Sequence, residues 1–520
     1  MGFRYIVRQA SNIKISSELL IPFLMTVVVY SICFILSSAY GYDTATRSLM
    51  GWRWLNKPFH IFGPNEVTWV FAPLNCYLNG AITFILKDPN LGPRLLSTAF
   101  GILTVIPLIG ITRMVFGCRS AVYAAYIFPF YSLYVGLAVS SNCESLSSFL
   151  ILSSFYFLLN YFENRTLRHL IFCGIFLNLA TATRYDLWMF LAVMPMAILI
   201  MIAVRREWRL IFHFLAFIFI AFSFGIYWII GNYVTTGDSL NFVNQVRNLN
   251  DNYIRANNIG SGHRQILYSL AFFPAVKAIA LSPITFGFAI VGSYFAFKRK
   301  QRGALLFNFL FITLILYFLY TFVISRQIII VSRFLVLHGL FMIIYAGFAF
   351  HIFEIKYSKW KSLIPAAIVV LMSLNITAIS YCSNVDNEYC QRLRPLSPVV
   401  REPRHFEETA QYLENEISSG KTVFIDAGHY DQRALYLKLF KARDQIQAYW
   451  GKPDKIANIL STGNFDLIVF SPTNPRTKKM QLAKIDNFSM SQSEYGYRLK
   501  KQFGGFMIFE LEYYTLLELL

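Results

Sequence analysis

The sequence predicts a membrane protein of the all-α class: a polytopic bundle of about eleven transmembrane helices with a long first outer loop, followed by a small C-terminal extracytoplasmic α/β domain. Three observations support this prediction. Of the 520 residues, 56% are hydrophobic and only 14% are charged, and the mean hydropathy is +0.48. Apolar runs of about 20 residues, the length that a helix needs to cross a bilayer, recur up to residue 381. Beyond that residue the chain becomes polar and its apolar runs become short.

The apolar runs predict eleven spanning helices, because a helix satisfies its own backbone hydrogen bonds in lipid. The first run is too long for the apolar core of a typical signal peptide, so we expect an uncleaved anchor. The predicted spans are 19–39, 94–116, 121–139, 146–161, 167–183, 187–204, 210–231, 278–297, 305–324, 334–353 and 363–381.

The basic residues predict the orientation of these spans. The net charge is +19, but most of it is scattered through short loops, so it indicates topology and not a nucleic-acid partner. If the N-terminus is cytoplasmic, every loop that shares its side carries Lys or Arg, as the positive-inside rule requires. The apolar segment 71–87 is short and broken by Pro73, and a span there would reverse every later loop. We therefore interpret it as a re-entrant or interfacial part of an outer loop over 40–93, and we expect the chain after 381 to lie outside as well.

The polar tail predicts a second domain, so that residues 1–381 form the membrane domain and 382–520 the outer domain. Apolar residues at helical spacing over 406–417 are followed by Gly420, which predicts the end of a helix. Short strands are predicted at "TVFID", "FDLIVFSP" and "GGFMIFELE", with a further helix from Pro453. This alternation favours a mostly parallel sheet. No glycine-rich phosphate-binding pattern follows the first strand, so we expect no nucleotide there.

Four stretches occur in an order typical of one enzyme group: "YDTATRSLMGWRWLNKPF", "VTWVFAPLNCYLNGAI", the run from "GPRLLSTAF" to "SSNCESLSSFLI", and "LATATRYDLWMFL". This series resembles the membrane glycosyltransferases of the GT-C superfamily, with the protein O-mannosyltransferases and aminoarabinose transferases (glycosyltransferase families 39 and 83) as the nearest branch. The resemblance covers the first 200 residues or so. It implies transfer of a sugar, with inversion, from a polyprenyl-phosphate donor to an acceptor hydroxyl of a lipid, a glycan or a protein.

The resemblance also implies a location and a catalytic base. We expect a multi-pass protein of a bacterial or archaeal cell membrane with its active site facing outside, or alternatively of the endoplasmic reticulum with a lumenal site. Asp43 follows the first span, where related families carry the acid that takes the acceptor proton. Many relatives have an acidic pair there, but this chain has Thr44, so Glu144 is the candidate for the second acid. The plain alternatives are a helix cap or a partner of Arg47 for Asp43, and a favourable helix N-terminal charge for Glu144.

A leaving phosphate requires cations, and three arginines lie at the predicted outer ends of spans: Arg184, Arg326 and Arg333. Charges at membrane depth are costly without partners. Simpler roles are open for each arginine, since Arg184 has Asp186 nearby and the other two are placed to anchor helix ends. Further candidates for contacts with sugar or headgroups lie among tryptophans of the first outer loop: Arg47, Arg53, Lys57 and His60.

No grouping of ligands in the sequence predicts a metal site, and we expect no cofactor, although a divalent cation such as Mg²⁺ or Mn²⁺ is compatible with the chemistry. The main alternative function is a transporter or flippase of a lipid-linked sugar. Such proteins often consist of two similar halves with polar groups at the membrane midplane. Here the polar features gather in long outer loops, which favours chemistry at the interface.

Overall fold

The computed structural model describes residues 17–37, 42–56, 71–256, 263–299, 301–324, 331–385, 393–399, 401, 404–427, 430–449, 456, 459–460, 465–470, 497–503 and 506–511. The chain forms two compact units. The membrane unit comprises Met1–Ser37, Phe59–Asn75 and Arg94–Val400, and the sheet unit comprises Ser38–Pro58, Cys76–Pro93 and Arg401–Leu520. The division into two domains at residue 381 stays a prediction.

Most of the described residues are helical. In lipid, a single apolar segment can satisfy its backbone hydrogen bonds internally only by forming a helix. The helices are α1 (Ser17–Leu36), α2 (Tyr42–Asn56), α3 (Pro73–Leu86), α4 (Leu91–Leu103), α5 (Val105–Phe116), α6 (Cys118–Ile127), α7 (Ser132–Val139), α8 (Cys143–Asn164), α9 (Leu167–Thr181), α10 (Met189–Arg205), α11 (Ile211–Thr236), α12 (Asn241–Ala256), α13 (His263–Leu281), α14 (Pro283–Lys298), α15 (Arg302–Phe318), α16 (Val336–Lys356), α17 (Leu363–Asn384), α18 (Arg404–Ser418) and α19 (Tyr430–Lys438).

The predicted bundle of membrane helices is confirmed, but the count of eleven spans is not. Among the described residues, 8 helices are long and apolar enough to cross a membrane, or up to 10 if two bent pairs are each one span. The pair Cys118–Phe130 and Ser132–Val139 bends by 58°, and the pair Leu270–Leu281 and Pro283–Lys298 by 111°. Helix α9 is apolar but has only 15 residues. Each predicted span falls on one of these helices, so the difference lies in bends and in one short helix.

The sharper bend has a local cause. Ser282 separates α13 from α14 and has a φ of 65°, a left-handed conformation that no helix continues through. Pro283 follows as the first residue of α14, where its missing N–H is harmless. The Ser282 hydroxyl accepts a hydrogen bond from the Thr285 amide and so caps the new helix. Hydropathy alone does not detect such a break, because both flanking segments are apolar.

Inside the membrane unit, Arg94 joins the ends of two helices. Its Nη2 donates to the carbonyls of Phe34 and Ser37 at 2.6 and 2.7 Å, and its Nε donates to the carbonyl of Val139 at 2.9 Å. These carbonyls lie at the C-terminal ends of α1 and α7, where the backbone has no helical partner and the helix dipole favours a cation. A single buried guanidinium therefore stabilises two helix ends.

The sheet unit contains one five-stranded mixed sheet in the order β2-β1-β3-β5-β4. Strand β1 is parallel to β2 and to β3, whereas β5 is antiparallel to β3 and to β4. The predicted strands at 423, 467 and 506 are confirmed, but the expectation of a mostly parallel sheet is wrong, since half of the pairings are antiparallel. The helix predicted from Pro453 lies largely outside the described residues. The strands are β1 (Val423–Asp426), β2 (Ile446–Tyr449), β3 (Leu467–Phe470), β4 (Tyr497–Phe503) and β5 (Phe506–Leu511).

The helix predicted over 406–417 is α18, and its apolar face lies in the core of the sheet unit. Phe406, Ala410, Leu413 and Ile417 are all buried there. Gly420 follows at a φ of 96°, which a residue with a side chain adopts only under strain. The spacing of apolar residues and the terminal glycine thus specified this element correctly.

Helix α2 also belongs to the sheet unit, where it crosses α3 at very short range. A Cβ added to Gly51 would lie 2.0 Å from the carbonyl oxygen of Cys76, and one added to Gly80 would lie 2.3 Å from the carbonyl oxygen of Gly51. Next to this crossing, the rings of Trp54 and Tyr77 are 5.1 Å apart. The two backbones are in contact because neither glycine carries a side chain.

Four charged side chains connect α18 to the sheet. Lys421 Nζ lies 2.7 Å from Glu416 Oε2 and 2.5 Å from Glu510 Oε1, and Lys500 Nζ lies 3.1 and 2.9 Å from Oε1 of the same two acids. Desolvation raises the pKa of Glu416, but hydrogen bonds from Lys421, Tyr412 and Lys500 outweigh this effect and lower the pKa from 4.5 to about 2. The ionised form of Glu416 is therefore favoured in the folded unit.

This shift predicts a pH-dependent contribution to stability. Because the folded pKa is below the unfolded value, the contribution is complete above about pH 4.5 and is lost as the pH falls towards 2. We expect Glu416→Gln to lower the free energy of unfolding by about 1 kcal/mol at pH 7, a modest value because the side chains are partly exposed. Amide hydrogen exchange in β5, corrected for intrinsic rates, measures this difference. Glu414→Gln, on the exposed side of α18, is the control, and equal effects of the two variants at pH 7 would contradict the prediction.

Candidate active site

One cavity of the membrane unit gathers charged residues that lie far apart in the sequence. Its empty volume is about 360 Å³. Helices α8 and α16 begin at it, α15 ends at it, and the connection from α9 to α10 lines it. The lining residues are Glu144, Ser147, Ser148, Ile151, Arg184, Asp186, Leu187, Leu314, Phe318, Arg333, Phe334, Val336 and Leu337.

The cavity lies at the opposite ends of these helices from their basic residues. Helix α8 starts at the cavity and ends before Arg165, α10 ends with Arg205, and α16 ends with Lys356. Helix α15 runs the other way and begins at Arg302. Each of these four helices thus has its cavity end and its basic end on opposite sides of the membrane unit.

Arg184 is held between two carboxylates. Its Nε and Nη2 donate to Oδ1 and Oδ2 of Asp186 at 2.9 and 3.0 Å, and its Nη1 donates to Oε1 of Glu144. The side chain of Glu144 is only 2% exposed and that of Arg184 is 10% exposed. Desolvation alone lowers the pKa of the guanidinium, but Asp186 and Glu144 outweigh it and raise that pKa well above its ordinary value. Arg184 is therefore cationic, and each of its three side-chain nitrogens donates to one of the two carboxylates.

The backbone explains how Arg184 and Asp186 reach the same point. Helix α9 ends at Thr181, and Arg184 has an extended conformation (φ −149°, ψ 133°) before a 3₁₀ turn over Tyr185–Trp188. A residue in extended conformation projects its side chain away from the preceding helix, and the following turn brings Asp186 back towards it. A bidentate contact between guanidinium and carboxylate is stronger and more specific in geometry than a neutral hydrogen bond.

A second guanidinium, that of Arg333, lines the same cavity. Arg333 lies in the 3₁₀ turn Ser332–Leu335 that precedes α16. The Cζ atoms of Arg333 and Arg184 lie 5.6 and 5.1 Å from the centre of the Phe334 ring. Cations in this range are attracted by the ring quadrupole, so Phe334 is a shared apolar contact of both guanidinium groups.

The structure therefore brings together three of the residues that sequence analysis selected: Glu144, Arg184 and Arg333. The pairing of Arg184 with Asp186, the plain alternative, is present, and Glu144 joins that pair. These positions do not test the catalytic or binding roles, which stay predictions.

The other selected residues are placed differently. Asp43, Arg47 and Arg53 belong to the sheet unit, on α2, where Asp43 is half-buried, Arg47 is buried and Arg53 is exposed. Lys57, His60 and Arg326 lie outside the described residues.

Sequence analysis missed the serines and the phenylalanine of the cavity. Ser147 and Ser148 follow Glu144 by three and four residues, which places all three on one face of α8. That spacing was a usable signal for a polar patch at the start of the helix. Phe334 gave no such signal, because one aromatic residue at the end of a span is expected on packing grounds alone.

The described residues include no group of three or more His, Cys, Asp or Glu side chains arranged to hold a metal ion. The two acids of the cavity both bind Arg184, Asp186 through both carboxylate oxygens and Glu144 through Oε1. The expectation about cofactors remains untested by this arrangement.

This chain is similar in sequence to one known protein family and in fold to several solved structures. Residues 71–228 match the model of the dolichyl-phosphate-mannose-protein mannosyltransferase family. The fold is similar to that of ArnT from Cupriavidus metallidurans, solved bound to undecaprenyl phosphate and in the apo state, with a TM-score of 0.63 and 12% identity over 94% of this chain and 97% of that one. The family match covers less than a third of the chain, and the ArnT structures share its fold; both findings support the predicted resemblance to the GT-C membrane glycosyltransferases.

A second GT-C structure is similar over less of its own length. The oligosaccharyltransferase of Archaeoglobus fulgidus, in complex with Zn and sulfate, has a TM-score of 0.52 and 14% identity, over 88% of this chain and 68% of that one. None of the curated protein sequences matches this chain significantly. The family match includes Glu144, Arg184 and Asp186, whereas Arg333 lies beyond it. The predicted fold and the multi-pass membrane location are thereby confirmed.

The ion cluster around Arg184 predicts how substitutions of its members change the stability of the protein. Arg184→Met leaves two carboxylates without their cation, and we expect a loss of about 3–5 kcal/mol of stability. Adding Glu144→Gln in that background removes one buried charge and is expected to restore part of the loss. Thermal unfolding of the purified protein in detergent measures both effects.

Arg168→Ala is the matched control, since it removes an exposed guanidinium that also lies over a ring, 5.7 Å from that of Phe172. If Arg184→Met unfolded at the same temperature as this control, the ion cluster would contribute nothing to the fold.

Proposed function

We propose that this GT-C protein transfers a sugar from a polyprenyl-phosphate donor to an acceptor hydroxyl, with inversion at the anomeric carbon, on the extracytoplasmic side of the membrane. The observation that carries the proposal is the cavity in which Arg184 and Arg333 flank Phe334. ArnT, whose fold is similar, has been solved bound to undecaprenyl phosphate. A phosphate whose tail stays in the bilayer must be recognised where helices begin or end, and this cavity lies at such a position.

In the proposed donor complex, the guanidinium of Arg333 binds the phosphate and stabilises the charge that develops on it as the sugar departs. The apolar lining formed by Leu314, Phe318 and Leu337 suits the first isoprene units next to that phosphate. Arg184 contributes a second positive charge, but two carboxylates already neutralise it. Within the proposal, Arg333 is the main phosphate contact because it lines the cavity at the start of α16, next to Phe334.

Glu144 acts in this proposal through Arg184. Its carboxylate is almost fully buried and is committed to the guanidinium, so it fixes the position of that cation at the cavity wall. The serines one turn further along α8 supply hydroxyl groups that suit a polyhydroxylated sugar. This is a narrower role for the second acid than proton transfer.

Asp43 is the proposed catalytic base. Its carboxylate takes the proton of the acceptor hydroxyl while the hydroxyl oxygen forms a bond to the anomeric carbon and the bond from that carbon to the phosphate oxygen breaks. The electron pair of the breaking bond stays on the phosphate, which leaves as polyprenyl phosphate. A single displacement of this kind inverts the anomeric configuration.

The proposed sidedness rests on charge. The cavity ends of α8, α10, α15 and α16 lie opposite their basic ends, and basic loops remain on the cytoplasmic side of membranes. The distribution of basic residues favours a cavity that opens to the outside of a cell or to the lumen of an organelle.

The first test concerns the leaving group. Purified protein in detergent, given a labelled polyprenyl-phosphate sugar and lipid, glycan or peptide acceptors, is expected to release polyprenyl phosphate. Arg333→Ala should lower kcat on the order of 100-fold, which corresponds to about 2.7 kcal/mol of transition-state stabilisation. Arg333→Lys should retain more activity because it keeps the charge. Arg168→Ala should behave like the parent, and so would Arg333→Ala if its side chain only anchored the helix.

The second test concerns the base. Asp43→Asn should reduce polyprenyl phosphate release on the order of 100-fold or more, because the amide cannot accept the proton, while donor binding persists. Asp444→Asn, an exposed acid of the same unit, is the control. Turnover of Asp43→Asn at the parent rate would refute the assignment. In detergent no membrane separates two compartments, so a transporter would release nothing in either variant.

A further inference from the structure

The helix that carries Asp43 is part of the core of the C-terminal sheet unit. Ala45 and Leu49 of α2 are fully buried in the same hydrophobic cluster as Val423 and Ile425 of β1. The ring of Trp52 meets that of Phe440 edge-on, with centroids 5.5 Å apart. Residues 45, 49 and 52 have the spacing of a single helix face. A segment near residue 45 is thus stabilised by strands that begin almost 400 residues later.

One buried arginine connects this helix to the sheet. Arg433 lies on α19 and is 8% exposed. Its Nε donates to the carbonyl of Ala427 at 2.7 Å, directly after β1, and its Nη1 donates to the Thr46 hydroxyl at 3.0 Å. Thr46 itself is 1% exposed. Hydrogen bonds from a charged donor in a buried setting are stronger than neutral ones, so this link fixes the distance between α2 and the end of β1.

The geometry leaves Asp43 on a different face of α2. At about 100° per residue, residue 43 lies roughly 160–200° around the helix from residues 45 and 52. The hydrophobic cluster therefore holds α2 by one side, while the contacts of Thr46 with Arg433 and of Gly51 with Gly80 lie roughly 60° and 80° around the helix from residue 43. Both supports fix the backbone of the helix and leave the Asp43 carboxylate, which is half-buried, outside the hydrophobic cluster.

We propose that Arg433 is a positioning residue for Asp43, so that the C-terminal sheet is a working part of the transferase and not a separate binding module. This inference rests on the proposed role of Asp43 as the base. It assigns to Arg433 an effect on the chemical step and not on donor binding, because the arginine acts through the position of α2. An error of about 1 Å in the position of a catalytic group lowers rates on the order of 100-fold.

The test compares three variants of the full-length protein by release of polyprenyl phosphate. Arg433→Ala removes both hydrogen bonds, and Thr46→Val removes only the acceptor while keeping the shape of the side chain. We expect each to lower kcat on the order of 10-fold or more with less than about a twofold change in donor KM. Lys441→Ala, which removes an exposed cation of the same unit, is the control and should leave kcat unchanged.

Two further measurements separate positioning from a merely structural role. The double variant Arg433→Ala with Thr46→Val should be no slower than the slower single variant, because both remove one link. Amide exchange in α2 should accelerate in both single variants. Unchanged kcat in Arg433→Ala, or fully additive losses in the double variant, would overturn the inference.

Failure of the proposed function gives a different result. If Asp43→Asn retained parental activity while Arg433→Ala slowed the reaction, Asp43 would not be the base. In that case the inference about Asp43 would fall together with the proposed function, although the exchange data would still establish the link from Arg433 to α2.

Discussion

The cavity depends on one ion cluster, in which the guanidinium of Arg184 is shared by Glu144 and Asp186. A lone charge at this depth is costly, and removal of the cation would leave two buried carboxylates to repel each other. The cluster joins the start of α8 to the connection between α9 and α10, so it determines where these segments meet. The ring of Phe334 then lies near this guanidinium and near that of Arg333 at the start of α16. The polar wall of the cavity is thereby organised around the guanidinium of Arg184, which is not a reactant in the proposed chemistry.

In the sheet unit, an apolar core and a buried arginine together hold segments that are distant in the sequence. Its strands bury an early helix of the chain, and Arg433 adds a directional contact to that burial. In the proposed function Glu144 and Asp43 have different roles, and their surroundings differ accordingly. Glu144 is almost fully buried and binds a cation through Oε1. Asp43 lies outside the hydrophobic cluster that holds its helix, as a group that must meet an acceptor should.

Local patterns in the sequence predicted the elements well. Apolar runs located every membrane helix, and the spacing of Phe406 to Ile417 with Gly420 located α18. The bend at Ser282 was missed because hydropathy carries no information about the backbone angle of a single residue. Strands β2 and β4 were missed because both are edge strands, one short and the other rich in lysine and arginine. Contacts such as Glu144 with Arg184, or Thr46 with Arg433, join residues 40 and 387 positions apart. Charge and span ends suggested which residues to consider, but only the fold shows which of them meet.

The crossing of Gly51 and Gly80 has a consequence for how the protein can vary. Gly51 is eight residues from Asp43, about 12 Å along α2. A methyl group at either glycine would force the backbones apart by an ångström or more, and that displacement would tilt the first turn of α2. Alanine at position 80 is therefore a means of adjusting the orientation of Asp43 without altering any residue around it. Variants with a changed choice of acceptor can be sought at this interhelical contact as well as in the cavity.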